Sequence, residues 1–261
     1  MRFRFVACLL MLCGLAAADP ALAFGRCTDP GYLAGFDESL TPRPCRVIHT
    51  TQVRWRGGTA DVRVIVDYSP TPALDAGHAE FARRVDELST RVGRAMDAMG
   101  DLQLPPVTVF LSNIDYGGFH AGTVDGPSEC KVIFFKTADE VPLERFLFTY
   151  AHELFHCIQS RSLPGTYQSP EATREDSRTE VDWWMEGSAE YFAYLANPGS
   201  DEGQPFIAEF DERSPDDSLL EMDYAAGVFF LGLGHRRGPE GVRAFLRRMA
   251  TAPGRDAQLA A

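Results

Sequence analysis

The segment TYAHELFHCIQS, residues 149–160, places His152 and His156 four residues apart, with Glu153 beside the first, in otherwise apolar surroundings. On a helix, residues four apart leave the same face one turn from each other. Two imidazoles so placed can bind one zinc ion at about 2.0–2.1 Å. Glu153, offset from both, reaches the metal's open position and can take a proton from a bound water as general base. In a chain with 6 histidines among 261 residues, the pattern arises by chance roughly once in a hundred such sequences. A helix carrying two histidines in ordinary hydrogen bonds is the plain alternative.

A catalytic zinc takes three protein ligands and keeps one position open. The segment WWMEGSAEY, residues 183–191, supplies Glu186 and Glu190 one turn apart on one face, among aromatic residues expected to be buried. Two carboxylates on such a face are costly unless they meet a cation or hydrogen-bond donors. By spacing, either glutamate satisfies the three-ligand requirement. Gly187 costs about 1 kcal/mol relative to Ala inside a helix, which is understandable if another helix must approach closely there.

Together, HELFH and WWMEGSAEY resemble the gluzincin metallopeptidases, zincins whose third ligand is a glutamate on the next helix. The W-x-E-G-x-A-E-Y form most resembles the catalytic half of bacterial collagenases. It is also similar to aminopeptidases of the leukotriene-hydrolase kind and, more distantly, to thermolysin. The resemblance implies one Zn2+ per chain, hydrolysis of peptide bonds, His152, His156 and Glu186 as ligands, and Glu153 as base. Glu190 matches the carboxylate that holds a ligand histidine by its other nitrogen. Tyr224, in Tyr-Ala-Ala-Gly, matches the donor to the oxyanion, with His120 and His235 as rivals for that task. The strand CKVIFF, 130–135, takes the place of an edge strand that pairs with an extended peptide; an interior core strand is its alternative. Twenty-nine residues separate His156 from Glu186, a spacing nearer the collagenases, and neither collagen nor aminopeptidase specificity is implied.

These residues need elements to hold them. VIHTTQVRW and DVRVIVDY read as two strands joined at Arg56-Gly57-Gly58-Thr59. Residues 74–99 carry Phe81, Val85, Leu88, Val92, Met96 and Met99 at helical spacing. VTVFLS is a buried strand, a Gly-rich loop follows, and CKVIFF is the next strand. A helix from Asp139 or Pro142 runs through the first motif to Leu163-Pro164-Gly165. Residues 164–181 read as a loop, 182–196 as the second motif's helix, 200–217 as another loop, and 224–234 and 239–250 as two helices. The fold class is α+β, a zincin-like two-lobe catalytic domain: an α/β lobe over 46–163, then a helical lobe over 164–261 carrying the third ligand.

The first 23 residues combine Arg2 and Arg4, an apolar run and Ala21-Leu22-Ala23, the pattern of a secretory signal peptide. Residues 24–45 read as an irregular arm. Four cysteines remain after such a leader, and proximity pairs Cys27 with Cys45 and Cys130 with Cys157. A net charge of −12 with only two lysines argues against nucleic acid or an anionic membrane as partner. The expectation is a secreted or periplasmic zinc-dependent endopeptidase acting on a peptide or protein. The alternative is a zinc-binding protein of the same fold that binds or scaffolds without turnover.

Overall fold

Alternating apolar residues on two consecutive segments build the first hairpin. The computed structural model describes residues 45–67, 72–112, 120–126, 128–135, 142–163, 175–250 and 255–260. Strands β1 (Cys45–Trp55) and β2 (Gly58–Asp67) pair antiparallel, with Trp55 opposite Gly58 across a two-residue turn. The indole of Trp55 folds over that turn and donates to Leu102 O at 3.0 Å; a Cβ on Gly57 would lie 2.7 Å from it. The expected signal peptide, the arm up to residue 44 and Cys27 lie outside the described residues, so the Cys27–Cys45 pairing does too.

Helix α1 (Pro72–Met99) buries all six residues expected from its spacing. It lies on β1 so closely that a Cβ on Gly93 would meet Arg54 O at 2.1 Å. Strands β3 (Val107–Ser112), β4 (His120–Asp125) and β5 (Cys130–Phe135) complete a five-stranded sheet in the order β1-β2-β3-β5-β4. The β2–β3 and β3–β5 pairs are parallel, and β4–β5 is antiparallel. One face, with Val64, Val109, Val132 and Phe134, packs on the helices. There Phe81 of α1, Phe134 of β5 and Phe146 of the next helix meet at ring-centroid distances of 4.4–6.1 Å.

The sheet corrects one expectation. Of the two readings of CKVIFF the interior one holds, since β5 has β3 on one side and β4 on the other, and HAGTVD, expected to be loop, forms the edge beyond it among the described residues. Its six residues mix good strand formers, Thr123 and Val124, with poor ones, Gly122 and Asp125. They become a strand because β5 offers a partner to each of them.

Helix α2 (Leu143–Ser162) follows Pro142 at its N-cap and is buried from Phe146 almost throughout. Helix α3 (Glu175–Ala196) begins seven residues before the expected 182. Helix α4 (Gln204–Arg213) occupies part of an expected loop; it buries no residue completely and is laced by Arg213, which pairs with Glu209 and Asp217 at 2.7 Å each. Helix α5 (Gly227–Met249) follows a 3-10 turn at Tyr224–Ala226 and breaks at Gly238 (φ 70°, ψ 170°), so the two expected helices form one interrupted run. A short α6 (Arg255–Ala260) was not expected; its Gln258 accepts from the indole of Trp183 at 2.7 Å. The chain is thus mixed α+β, and sheet, α1, α2, α3 and α5 share one apolar core.

Cys130 and Cys157 form the expected disulfide, joining β5 to α2 with their Cα atoms 5.8 Å apart. It closes a segment with a sequence separation of 27. Cross-links of that span stabilise by about 3–4 kcal/mol, chiefly by restricting the unfolded chain. A Cys130→Ala/Cys157→Ala double variant should lose stability of that order in urea unfolding at neutral pH. A loss below about 1 kcal/mol would mean that the sheet and α2 are held by packing alone.

Candidate metal centre

Both motifs lie on helices, so their spacing converts directly into geometry. His152 Nε2 lies 3.1 Å from His156 Nε2 and 3.1 Å from Glu186 Oε2, and His156 Nε2 lies 3.4 Å from the same oxygen. The ligand atoms of a tetrahedral zinc bound at about 2.0–2.1 Å are separated by about 3.3–3.4 Å. Two imidazole nitrogens and a carboxylate oxygen in such a triangle form a donor set that fits zinc in chemistry and in size.

The two glutamates that spacing left equivalent are distinguished by the structure. Glu186 closes the triangle. Glu190 Oε1 stands 2.9 Å from Nδ1 of His152, behind the ring, and is 4% exposed. Gly187 lets this turn of α3 meet the chain before α5: a Cβ there would lie 2.9 Å from Ala226 Cβ, and one on Gly227 would lie 2.9 Å from Glu190 Cβ. The close approach expected from Gly187 is therefore real, and it brings in the Tyr224 turn.

Tyr224 is 41% exposed, with its ring 5.6 Å from that of His152 at 29° and 5.2 Å from Phe206 at 20°. The negative charge of Glu186, then burial, push its hydroxyl well above the ordinary phenol range, so it is a donor at neutral pH. Glu153 is buried, and Thr123 of β4 lies 2.7 Å from its Oε2 and 3.1 Å from its backbone oxygen as hydroxyl donor. His156 Nδ1 faces Gln159 Oε1 at 2.8 Å. His235 is exposed on α5 beside Arg236 and Arg237, and the side chain of His120 lies outside the described ones. The sulfurs of Cys130 and Cys157 are committed to each other.

Sequence reasoning missed Thr123, Gln159 and Phe206. Gln159 carried a signal: a polar residue three positions after His156 on a buried helix. Thr123 and Phe206 carried none, because their elements were not expected.

Burial by itself would depress both imidazoles, but Glu186 and Glu190 at His152, and Glu186 at His156, more than offset it and raise both above the usual histidine value. Burial likewise works to raise the Glu186 carboxyl, yet the two histidines hold it far below its ordinary value.

No protein-family model and no curated protein sequence matches the chain. Two crystal structures of an M1 zinc metallopeptidase from Deinococcus radiodurans are similar to it, one a variant bound to a Tyr-Ser-Ala substrate. Their identities are 17% and 16% and their TM-scores 0.47 each, covering 81% and 82% of this chain and 44% and 46% of theirs. An aminopeptidase N family protein from Idiomarina loihiensis has 15% identity and a TM-score of 0.38, over 82% of this chain and 40% of that one. The chain thus spans less than half the length of these solved chains. At such scores the likeness adds nothing to the reading of the site, which rests on its own geometry.

Metal binding requires neutral imidazoles, so zinc must displace protons here. In the metal-free protein the raised histidines contribute stability that is full below pH 6.5 and lost as pH rises through their folded values. Glu186, depressed, contributes above pH 4.5 and loses that contribution as pH falls through its folded value. The rise in Tm on adding zinc should therefore grow from pH 6 to pH 8, with proton release in calorimetric titrations. An increment independent of pH, with no protons released, would remove the histidines as ligands.

Proposed function

We propose that the chain is a zinc-dependent peptidase, with His152, His156 and Glu186 as ligands and Glu153 as general base. The observation that carries this reading is the triangle of donor atoms on α2 and α3 beside a buried glutamate. When bound, zinc supplies Lewis acidity, polarising a peptide carbonyl and lowering the pKa of water.

The remaining chemistry belongs to the chain. Glu153 accepts the proton of the attacking water and delivers it to the departing amine. Thr123, donating to Oε2, holds that carboxylate in place. Glu190 orients His152 from its Nδ1 side. Tyr224 supplies the hydrogen bond to the developing oxyanion, in keeping with a hydroxyl that stays protonated.

Strand β4 is the outermost of the sheet, and Thr123, which touches Glu153, lies in its interior. An extended peptide added to its outer edge would run past Glu153 in both directions. This favours cleavage of internal bonds in a peptide or protein. The form of the glutamate helix, W-x-E-G-x-A-E-Y, makes a gluzincin of the collagenase type the finer reading. The Cys130–Cys157 disulfide favours an oxidising compartment, and we place the protein outside the cytosol, with residues 1–23 as its leader. No helix among the described residues is long and apolar enough to cross a membrane.

The test is a peptide mixture derived from a proteome, incubated with zinc-loaded protein and with Glu153→Gln, and read by mass spectrometry. Cuts within peptides made by the parent and missing in the variant are expected; equal cutting by both would exclude Glu153 as base. Stoichiometric zinc without any cutting would instead favour a binding protein on the same fold. On a substrate so found, Tyr224→Phe should lower kcat about 10²–10³-fold at unchanged zinc content, and near-parental kcat would end its assignment.

A further inference from the structure

A glutamine amide has a donor end and an acceptor end, and its neighbours decide which way round it sits. Gln159 is 1% exposed, one turn after His156 on α2. Its Nε2 lies 2.8 Å from Met185 O and 2.8 Å from Ser188 Oγ, both on the turn of α3 that carries Glu186. A carbonyl oxygen only accepts, so the nitrogen must face Met185 O, and Oε1 must face away from it. On that side Oε1 stands 2.8 Å from His156 Nδ1. Oε1 also only accepts, so Nδ1 of His156 carries a proton. In the neutral imidazole that leaves the lone pair on Nε2, the atom that points into the donor triangle.

We propose that Gln159 is the positioning residue of this centre: its carbonyl fixes His156 in the tautomer that binds metal through Nε2, and its amide docks the Glu186 turn against α2. One side chain thereby orients two of the three ligands. The inference rests on the zinc reading of the site and adds to it a residue that touches neither metal nor substrate. A neutral amide suits the task. Glu153, Glu186 and Glu190 already crowd the centre with carboxylates, and an ionised glutamate at 159 would set acceptor against acceptor at Met185 O.

The experiment begins with zinc-loaded parental protein labelled with ¹⁵N in its histidine rings. Long-range ¹H–¹⁵N spectra should show His156 protonated at Nδ1 and metal-bound at Nε2; ligation through Nδ1 would overturn the proposal. Zinc affinity is then measured by chelator competition. Gln159→Met, similar in length but with no amide, should bind zinc about 10–100-fold more weakly and, in the metal-free state at a pH high enough for the ring to be neutral, lose the single tautomer of His156. Gln159→Glu restores the acceptor for Nδ1 but not the donor to α3, and should recover only part of the affinity.

A Gln159→Met affinity within twofold of the parent, with the Nδ1–H tautomer kept, would show that Gln159 merely fills space. If that variant does not fold, the parental spectrum and Gln159→Glu decide, and a Gln159→Glu affinity equal to the parent's counts against the docking role. Failure of the parental protein to bind zinc would remove the proposed function together with this inference. Parental binding through Nε2 with unaffected variants would remove the Gln159 role alone.

Discussion

Ionisable groups are buried where α2 meets α3, and the arrangement around them answers that cost. His152, Glu153, His156 and Glu190 are all nearly sealed from solvent, and Glu186 is only partly open. Each ion taken from water costs several kcal/mol unless it is paired. With neutral imidazoles the three carboxylates leave the centre strongly negative, and a divalent cation nearly neutralises it. Two imidazolium protons carry the same charge as that cation. Hence the histidines are raised and Glu186 is lowered: in the metal-free protein, protons balance the carboxylates as a metal would. A cluster so packed can be balanced by either kind of positive charge.

That packing is concentrated in a few close contacts. Cys130–Cys157 ties α2 to the sheet directly beside His156. Gly187 and Gly227 let α3 and the Tyr224 turn approach to a distance that no side chain at either position permits. Gln159 bridges α2 and α3 inside the core. The first two contacts join a helix that carries part of the donor triangle to an element that does not, and the third joins the two helices that carry it, so small displacements of the sheet or of α5 would be felt at the triangle.

What could be read from the sequence follows from the same physics. His152, Glu153 and His156 share a helix whose period is fixed, and their relation was legible from spacing alone. Glu186 and Glu190 were legible as a pair, but spacing could not rank them; that needed the position of α3 relative to the His152 ring. The disulfide was legible because proximity in sequence coincided with proximity in space. Strand β4 was not, since Gly122 and Asp125 break up the strand preference of Thr123 and Val124 until β5 pairs with all six residues, and with β4 went Thr123 and the identity of the edge strand. Helix α4 was hidden by its shortness and its charges: Phe206, Ile207 and Phe210 are only partly buried, and Arg213 pairs with Glu209 and Asp217.

The centre also has a back and a front. Behind the histidines, Glu190 and Gln159 are almost fully buried and face the ring nitrogens that do not point into the donor triangle, at 2.9 and 2.8 Å. On the other side, the Glu186 side chain is 21% exposed and Tyr224, stacked between His152 and Phe206, is 41% exposed. On the proposed function, a substrate approaches from the open side, between the Tyr224 turn and the outer strand that holds Glu153 through Thr123. The groups proposed to act on the reacting atoms, Glu153 and Tyr224, are then held by different elements, β4 together with α2 for one and the turn before α5 for the other. The spacing between Glu153 and Tyr224 is thus set by how α3 packs on both sides, against α2 through Gln159 and against the Tyr224 turn through Gly187. The helix that carries Glu186 is the element that fixes the width of the site.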